Sequence, residues 1–255
     1  MSRPLLEARD LTKNYGTVEA LRGASFTAYP GEVVSLIGDN GAGKSTLVKC
    51  LSGVEQPTSG TLTFDGEPLH LNSPNDARDR GIETVFQDLA VAPDLDPAAN
   101  MFLGREILKP GVLGFFGVLD KKAMRRQASE HFTRFGATLQ SIDVPIAALS
   151  GGQRQSVAVA RSVAWASKLV FMDEPTAALG VVQRERVLDV IKRVRDEGIA
   201  VVLISHNMPE VLSVSDRVEV LRLGRRVARF KASDTSVEEL VGAMTGAFTQ
   251  EDADQ

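Results

Sequence analysis

Gly38-Asp39-Asn40-Gly41-Ala42-Gly43-Lys44-Ser45-Thr46 follows the spacing G-x-x-x-x-G-K-[ST], the pattern of a loop that wraps phosphate. Its glycines let the backbone curl until several N–H groups point inward. Lys44 then adds a point charge for β- and γ-phosphates, and Ser45 a hydroxyl for Mg²⁺. Such a loop must sit between a strand and a helix. Upstream, 32–37 (EVVSLI) reads as a short buried strand; downstream, 46–51 (TLVKCL) opens a helix whose N-terminus faces the anion. With both flanks present, nucleotide binding outweighs a bare glycine-rich turn.

The rest of the chain bounds this reading. At 255 residues, 43% hydrophobic and 24% charged, it has the texture of a globular α/β protein. The net charge of −4 argues against a nucleic-acid partner. One cysteine, Cys50, precludes an internal disulfide framework and reads as a buried small hydrophobe. The N-terminus has no apolar signal region, and no apolar window of about 18 residues occurs, since Val157 to Met172 is broken by Arg161 and Lys168. Any link to a membrane would therefore run through a partner.

In chain order, 5–11 and 24–29 read as strands of an antiparallel opening sheet, with turns at Tyr15-Gly16 and Pro30-Gly31. Tyr15 could stack on a base or cover the small sheet. A strand at 61–66, a helix at 75–80 and a strand at 82–86 follow, the last delivering Gln87 to a strand end, where ligands of α/β sheets sit. Between about 90 and 149 the texture turns helical, over 98–108 and 121–135. The apolar, glycine-rich 110–119 between them is expected to fold back on those helices, a docking surface being the alternative.

Ser150-Gly151-Gly152-Gln153 then opens a helix. Ser150 is a good N-cap, but two glycines cost helix stability and leave N–H groups bare at the positive end, a second anion site. The apolar strand 168–172 ends in Asp173-Glu174, two acids expected to point in opposite directions, one toward Mg²⁺ and one toward the attacking water. A helix over 183–197 stops at Gly198, and strand 199–204 delivers Ser205 and His206 to its end. His206 is a candidate γ-phosphate contact, whereas His70 and His131 read as solvated. A short helix at 209–214, a hairpin around Gly224, a helix over 236–244 and an acidic tail from 246 complete the chain.

Taken in order, the phosphate loop, Gln87, Leu149 to Gln153, Asp173-Glu174 and His206 resemble the nucleotide-binding subunit of an ABC transporter, over essentially the whole chain. The resemblance implies one cassette of P-loop α/β fold, with an α/β core and antiparallel β subdomain from 1–89 and 150–245 and a helical subdomain from 90–149. It implies ATP and Mg²⁺ as cofactors. It places Tyr15 on adenine; Ser45, Gln87 and Asp173 around Mg²⁺; Glu174 as general base; and His206 on the γ-phosphate. ATP would be sandwiched between the Gly38 to Thr46 loop of one copy and the Ser150 to Gln153 signature of a second. Permease subunits, an extracytoplasmic sugar-binding protein and a place on the cytoplasmic face of the membrane are implied with it.

More narrowly, 100–106 (NMFLGRE), 38–43 and 205–208 (SHNM) resemble ATPases of bacterial monosaccharide importers, the single-cassette fructose type above all. A soluble ABC ATPase of DNA repair or translation, or a regulatory ATP-binding module, is the alternative. Gly180 departs from the aspartate that many members carry after the acidic pair, which bears on coupling between the two sites.

Overall fold

The computed structural model describes residues 3–85, 91–135, 139, 141–177 and 179–247. They form two compact units, one from 1–84, 166–174 and 191–255, the other from 85–165 and 175–190.

The first unit holds two sheets. Strands β1 (Leu6–Tyr15) and β2 (Val18–Ala28) are an antiparallel hairpin. It closes at Gly16, whose φ of 59° suits a residue without Cβ. The five residues of β3 (Val33–Ile37) are all buried, as a strand covered on both faces must be. It runs into α1 (Lys44–Leu51), which starts two residues earlier than its apolar pattern suggested. Next come β4 (Ser59–Phe64), the two-residue β5 (Glu67–Pro68), α2 (Pro74–Asp79) capped by Ser73, and β6 (Ile82–Val85).

In the second unit, α3 (Pro97–Met101) is much shorter than the expected 98–108 helix, the chain turning through Gly104 at a φ of 77°. Buried Asn100 explains the local geometry. Its amide donates to Ala92 O and Leu95 O and its carbonyl accepts from Ala92 N, fastening the approach to α3. After α4 (Val112–Phe115) and α5 (Lys121–Arg134), α6 (Gly151–Trp165) packs through Trp165, which meets Phe102 edge to face at 5.5 Å and donates Nε1–H to Met101 O.

The chain then returns through β7 (Leu169–Asp173), α7 (Val181–Asp196), β8 (Ala200–Ile204), α8 (Met208–Val214), β9 (Arg217–Arg222), β10 (Arg225–Lys231) and α9 (Val237–Thr245). A Ser236–Glu239 capping box opens α9 and Gly246 ends it.

The small sheet has the order β2-β1-β4-β5 and the large one β10-β9-β3-β8-β7-β6. Strands β9, β3, β8 and β7 run parallel. Helix α1 lies between the sheets: Leu47, Val48 and Leu51 share a core with Leu11 and Phe26 of the hairpin and Leu36, Phe171 and Val202 of the large sheet. Each such side chain is worth about 1.5–3 kcal/mol when fully buried. Helices α8 and α9 cover the opposite face through Val211, Leu240 and Ala243.

Two further expectations are corrected. The 110–119 segment does not fold back: Val112, Leu113, Phe115 and Phe116 are 73%, 53%, 87% and 74% exposed. His131 is not simply solvated, but stacks on Phe135 and tilts against Trp165, and burial lowers its pKa. Cys50 is buried, which pushes its thiol up to about 11, beyond ordinary reactivity. Among the described residues no helix is long and apolar enough to cross a membrane. The tail from 248 onward lies outside them.

Candidate functional site

Parallel strands in register end level, and that brings the site together. Leu36 of β3 and Asp173 of β7 both pair with Ile204 of β8, so the phosphate loop, the acidic pair and His206 all leave the sheet at one edge, within the first unit. The loop is shaped by glycines that a methyl group would disrupt. A Cβ on Gly38 would lie 2.2 Å from Leu221 O, and one on Gly43 (φ 102°) 2.8 Å from Ala20 O. Gly224 N donates to Ala42 O at 2.9 Å. The turn of the β9–β10 hairpin is thus the mould of the phosphate loop, a role that reading it as a mere hairpin missed.

Helix α1 begins at Gly43 with neither a side-chain cap nor an acidic residue in its first turn, so its leading N–H groups stay open. Ser45 and Thr46 belong to that turn. Lys44 folds back, its Nζ donating to Gly38 O at 2.7 Å and Asp39 O at 3.0 Å. Its pKa is lowered by burial, against the opposing fields of Glu174, Asp173 and Asp39.

The acidic pair differs from the expected strand alternation. Glu174 takes a left-handed conformation, φ 50°, with its N–H on Ile204 O at 2.9 Å, which costs a non-glycine residue about 1–2 kcal/mol. The turn carries its carboxylate to His206, whose Nδ1 donates to Oε1 at 2.8 Å. Glu174 is 15% exposed and His206 78%. Asp173 shares this space: its pKa is raised by burial, then by the Glu174 carboxylate, with Lys44 opposing. A partly buried carboxylate short of positive charge offers a hard oxygen donor that suits Mg²⁺.

Tyr15 ends β1, 43% exposed. Its hydroxyl donates to Glu55, Lys13 Nζ lies 5.2 Å from the ring centroid, and Glu55 also meets Lys13 and Lys49 at 3.6 and 3.3 Å. The Tyr15 bond is the largest cause holding the Glu55 carboxyl below its ordinary range. Glu55 was missed because it lies in a loop that reads only as a break.

Ser150 to Gln153 belong to the second unit. Ser150 Oγ accepts from Gln153 N at 3.2 Å, and Gln153 Oε1 accepts from Ser150 N at 3.0 Å, a reciprocal cap. A Cβ on Gly152 would meet Gln183 Cγ at 3.2 Å; one on Gly151 would meet nothing within 4 Å. Gln87 lies outside the described residues.

Residues 21–177 match the ABC transporter family, a span holding the phosphate loop, the Ser150 to Gln153 signature and the acidic pair. The chain is 52% identical over 246 residues, 96% of its length and 95% of the relative's, to the fructose import ATP-binding protein FrcA of Rhizobium meliloti. It is 44% identical to the xylose/arabinose import ATP-binding protein XylG of Sulfolobus acidocaldarius, over 94% of each chain. Its fold is that of the dimeric ATP-binding cassette MJ0796 in a post-hydrolysis state bound to ADP and Pi, with a TM-score of 0.77 and 25% identity over 89% of this chain and 98% of that one. A sheet edge that gathers phosphate loop, acids and histidine, a matched span that holds them all but His206, and near end-to-end identity to import cassettes lead to one conclusion: the chain belongs to the ABC transporter family, as one of its ATP-binding cassettes.

Proposed function

We propose that this cassette hydrolyses ATP on the cytoplasmic face of a bacterial membrane to drive uptake of a monosaccharide, fructose first, then ribose or xylose. The observation that carries the catalytic part is the Glu174 carboxylate held by His206 beside Lys44, at the mouth of the phosphate loop. The cargo follows from the fructose and xylose/arabinose import relatives.

In this reading the loop N–H groups from Gly38 to Thr46 and Lys44 hold the phosphates, and Tyr15 lies on the base. Ser45, Asp173 and Gln87 hold Mg²⁺, which when bound neutralises charge on the β- and γ-phosphates. Glu174 takes the proton of the attacking water, and His206 both orients Glu174 and hydrogen-bonds the γ-phosphate. The signature from Ser150 to Gln153 serves the ATP of a second copy, as the dimeric cassette supports. Gly151, with open space where a side chain would be, leaves room for that approach. Permease subunits receive the motion of closure, and an extracytoplasmic binding protein delivers the sugar. Gly180 supplies no carboxylate where many family members carry an aspartate, a departure that bears on coupling between the two sites.

The test is Glu174→Gln in source cells and in the purified transporter. Loss of a basic oxygen should slow turnover at least about a hundredfold with ATP binding retained, and uptake of one labelled sugar among fructose, ribose, xylose and galactose should stop. Near-normal turnover would remove Glu174 as the base; four intact uptakes would remove the sugar assignment.

A further inference from the structure

From Pro110 to Leu119 ten consecutive residues lack a polar side chain, yet the segment is an ordered hairpin in the second unit. Leu108 and Leu119 form an isolated bridge, Lys109 N donates to Val118 O at 2.8 Å, and Asp120 N to Ile107 O at 2.7 Å. At its tip the N–H groups of Gly114, Phe115, Phe116, Gly117 and Val118 all bond to carbonyls of residues 111–114. A Cβ on Gly114 would stand 1.9 Å from Lys109 O, so the turn is closed tightly on itself. Phe115 and Phe116 meet edge to face at 5.5 Å, both largely exposed. The knuckle therefore presents its apolar side chains outward while the N–H groups of its tip, from Gly114 to Val118, are satisfied within it.

Those two properties together are what hydrocarbon requires. Water would satisfy loose N–H groups at no cost, whereas a segment entering lipid must satisfy them internally. The charges at the base of the knuckle point the same way. Between 105 and 126 there are six cationic side chains and two carboxylates, in a chain whose net charge is −4. Both carboxylates are engaged by backbone, Asp120 capping α5 through Ala123 N and Glu106 accepting from Gly104 N. Arg125 is tied to Asp96 and Asp143, and Arg105 lies over Trp165. Lys109, Lys121 and Lys122 are exposed at the foot of the apolar tip.

We propose that the 108–119 hairpin seats this cassette on an anionic lipid leaflet, Phe115 and Phe116 entering the acyl boundary and Lys109, Lys121 and Lys122 meeting the headgroup phosphates. A basic collar around an apolar wedge has the form of an interfacial anchor. The inference depends on the hairpin alone, and not on which sugar is carried.

The experiment is co-sedimentation of the purified full chain with vesicles of phosphatidylcholine, alone or mixed with phosphatidylglycerol. The chain should bind the mixed vesicles and release in high salt. Phe115→Ser with Phe116→Ser should weaken that binding at least about tenfold while ATP turnover is unchanged, since both rings are exposed. Lys121→Gln and Lys122→Gln should each weaken it about fivefold. Equal binding to neutral and anionic vesicles, or a serine double variant that binds like the parent, overturns the proposal. If the serine variant instead loses only its permease in detergent and keeps its vesicle binding, the tip docks on protein and the lipid reading falls.

Discussion

Replacing Asp173 by asparagine should make the nucleotide-free protein more stable while disabling it. Asp173 closes a strand whose other four residues are buried. Its carboxyl is raised above the ordinary 3.8 first by burial and second by Glu174, and Lys44 offsets only part of that. An acid whose native pKa is raised favours the native state below the unfolded value, and loses that favour as pH climbs through the native value. At pH 8 the parent therefore carries a penalty that an isosteric amide lacks. Relieving one partly buried, under-compensated carboxylate is worth about 1 kcal/mol. For a chain of this size that raises the melting midpoint about 2–4 °C. Below pH 3.8 the aspartate is neutral in both states and the advantage should vanish. The assay is thermal or urea unfolding of Asp173→Asn and parent at pH 8 and about one unit below 3.8, without nucleotide, followed by the same melts with Mg²⁺ and ATP. Added nucleotide should stabilise the parent far more than the variant, and turnover should be lost. A lower midpoint for the variant at pH 8, or a gain independent of pH, would refute the reasoning.

Gly38→Ala should weaken ATP binding about a hundredfold in filter or fluorescence assays, because its Cβ would meet the Leu221 carbonyl at 2.2 Å and force a displacement near 1 Å; retained affinity would mean that the hairpin does not mould the loop. Glu219→Ala should lower stability by about 3–5 kcal/mol in urea titration, since Glu219 is 1% exposed and ion-pairs with Arg217 and Arg229. Tyr15→Phe and Glu55→Gln, which break the hydroxyl–carboxylate bond but keep the ring, should each raise KM for ATP about two- to tenfold with kcat unchanged, the net worth of one hydrogen bond. The double variant should lose no more than either alone if the hydroxyl–carboxylate bond is what sets the ring. An unchanged KM in Tyr15→Ala would remove Tyr15 from the base.

The strand-end reading worked because its premise is physical. Buried parallel strands are apolar runs without alternation, and register fixes their ends in one row: Leu36, Ile204 and Asp173 share it. Whatever follows such a strand lands at the ligand edge, so Lys44, Glu174 and His206 could be brought together from sequence alone. What could not be read was geometry set by residues distant in the chain. The carbonyl that demands glycine at position 38 belongs to Leu221, and the carboxylate that holds Tyr15 lies 40 residues away. Nor does a run of strand residues announce that Glu174 turns left-handed and swings its carboxylate to His206.

The misread 110–119 segment isolates what hydropathy contains. Leu169 to Met172 and Pro110 to Leu119 are both apolar, and one is buried while the other stands out. Apolar composition says that a segment gains by leaving water, but not into what. The backbone decides that. A strand such as β7 has N–H and C=O groups that only neighbouring strands can satisfy, so it must lie inside a sheet. The knuckle, with Gly111 and Gly117 at positive φ, bonds its tip N–H groups to carbonyls three to five residues back and asks nothing of the rest of the chain. An apolar segment closed on itself in this way is free to leave water outside the protein, and glycine spacing rather than hydropathy is the sequence signal that separates the two fates.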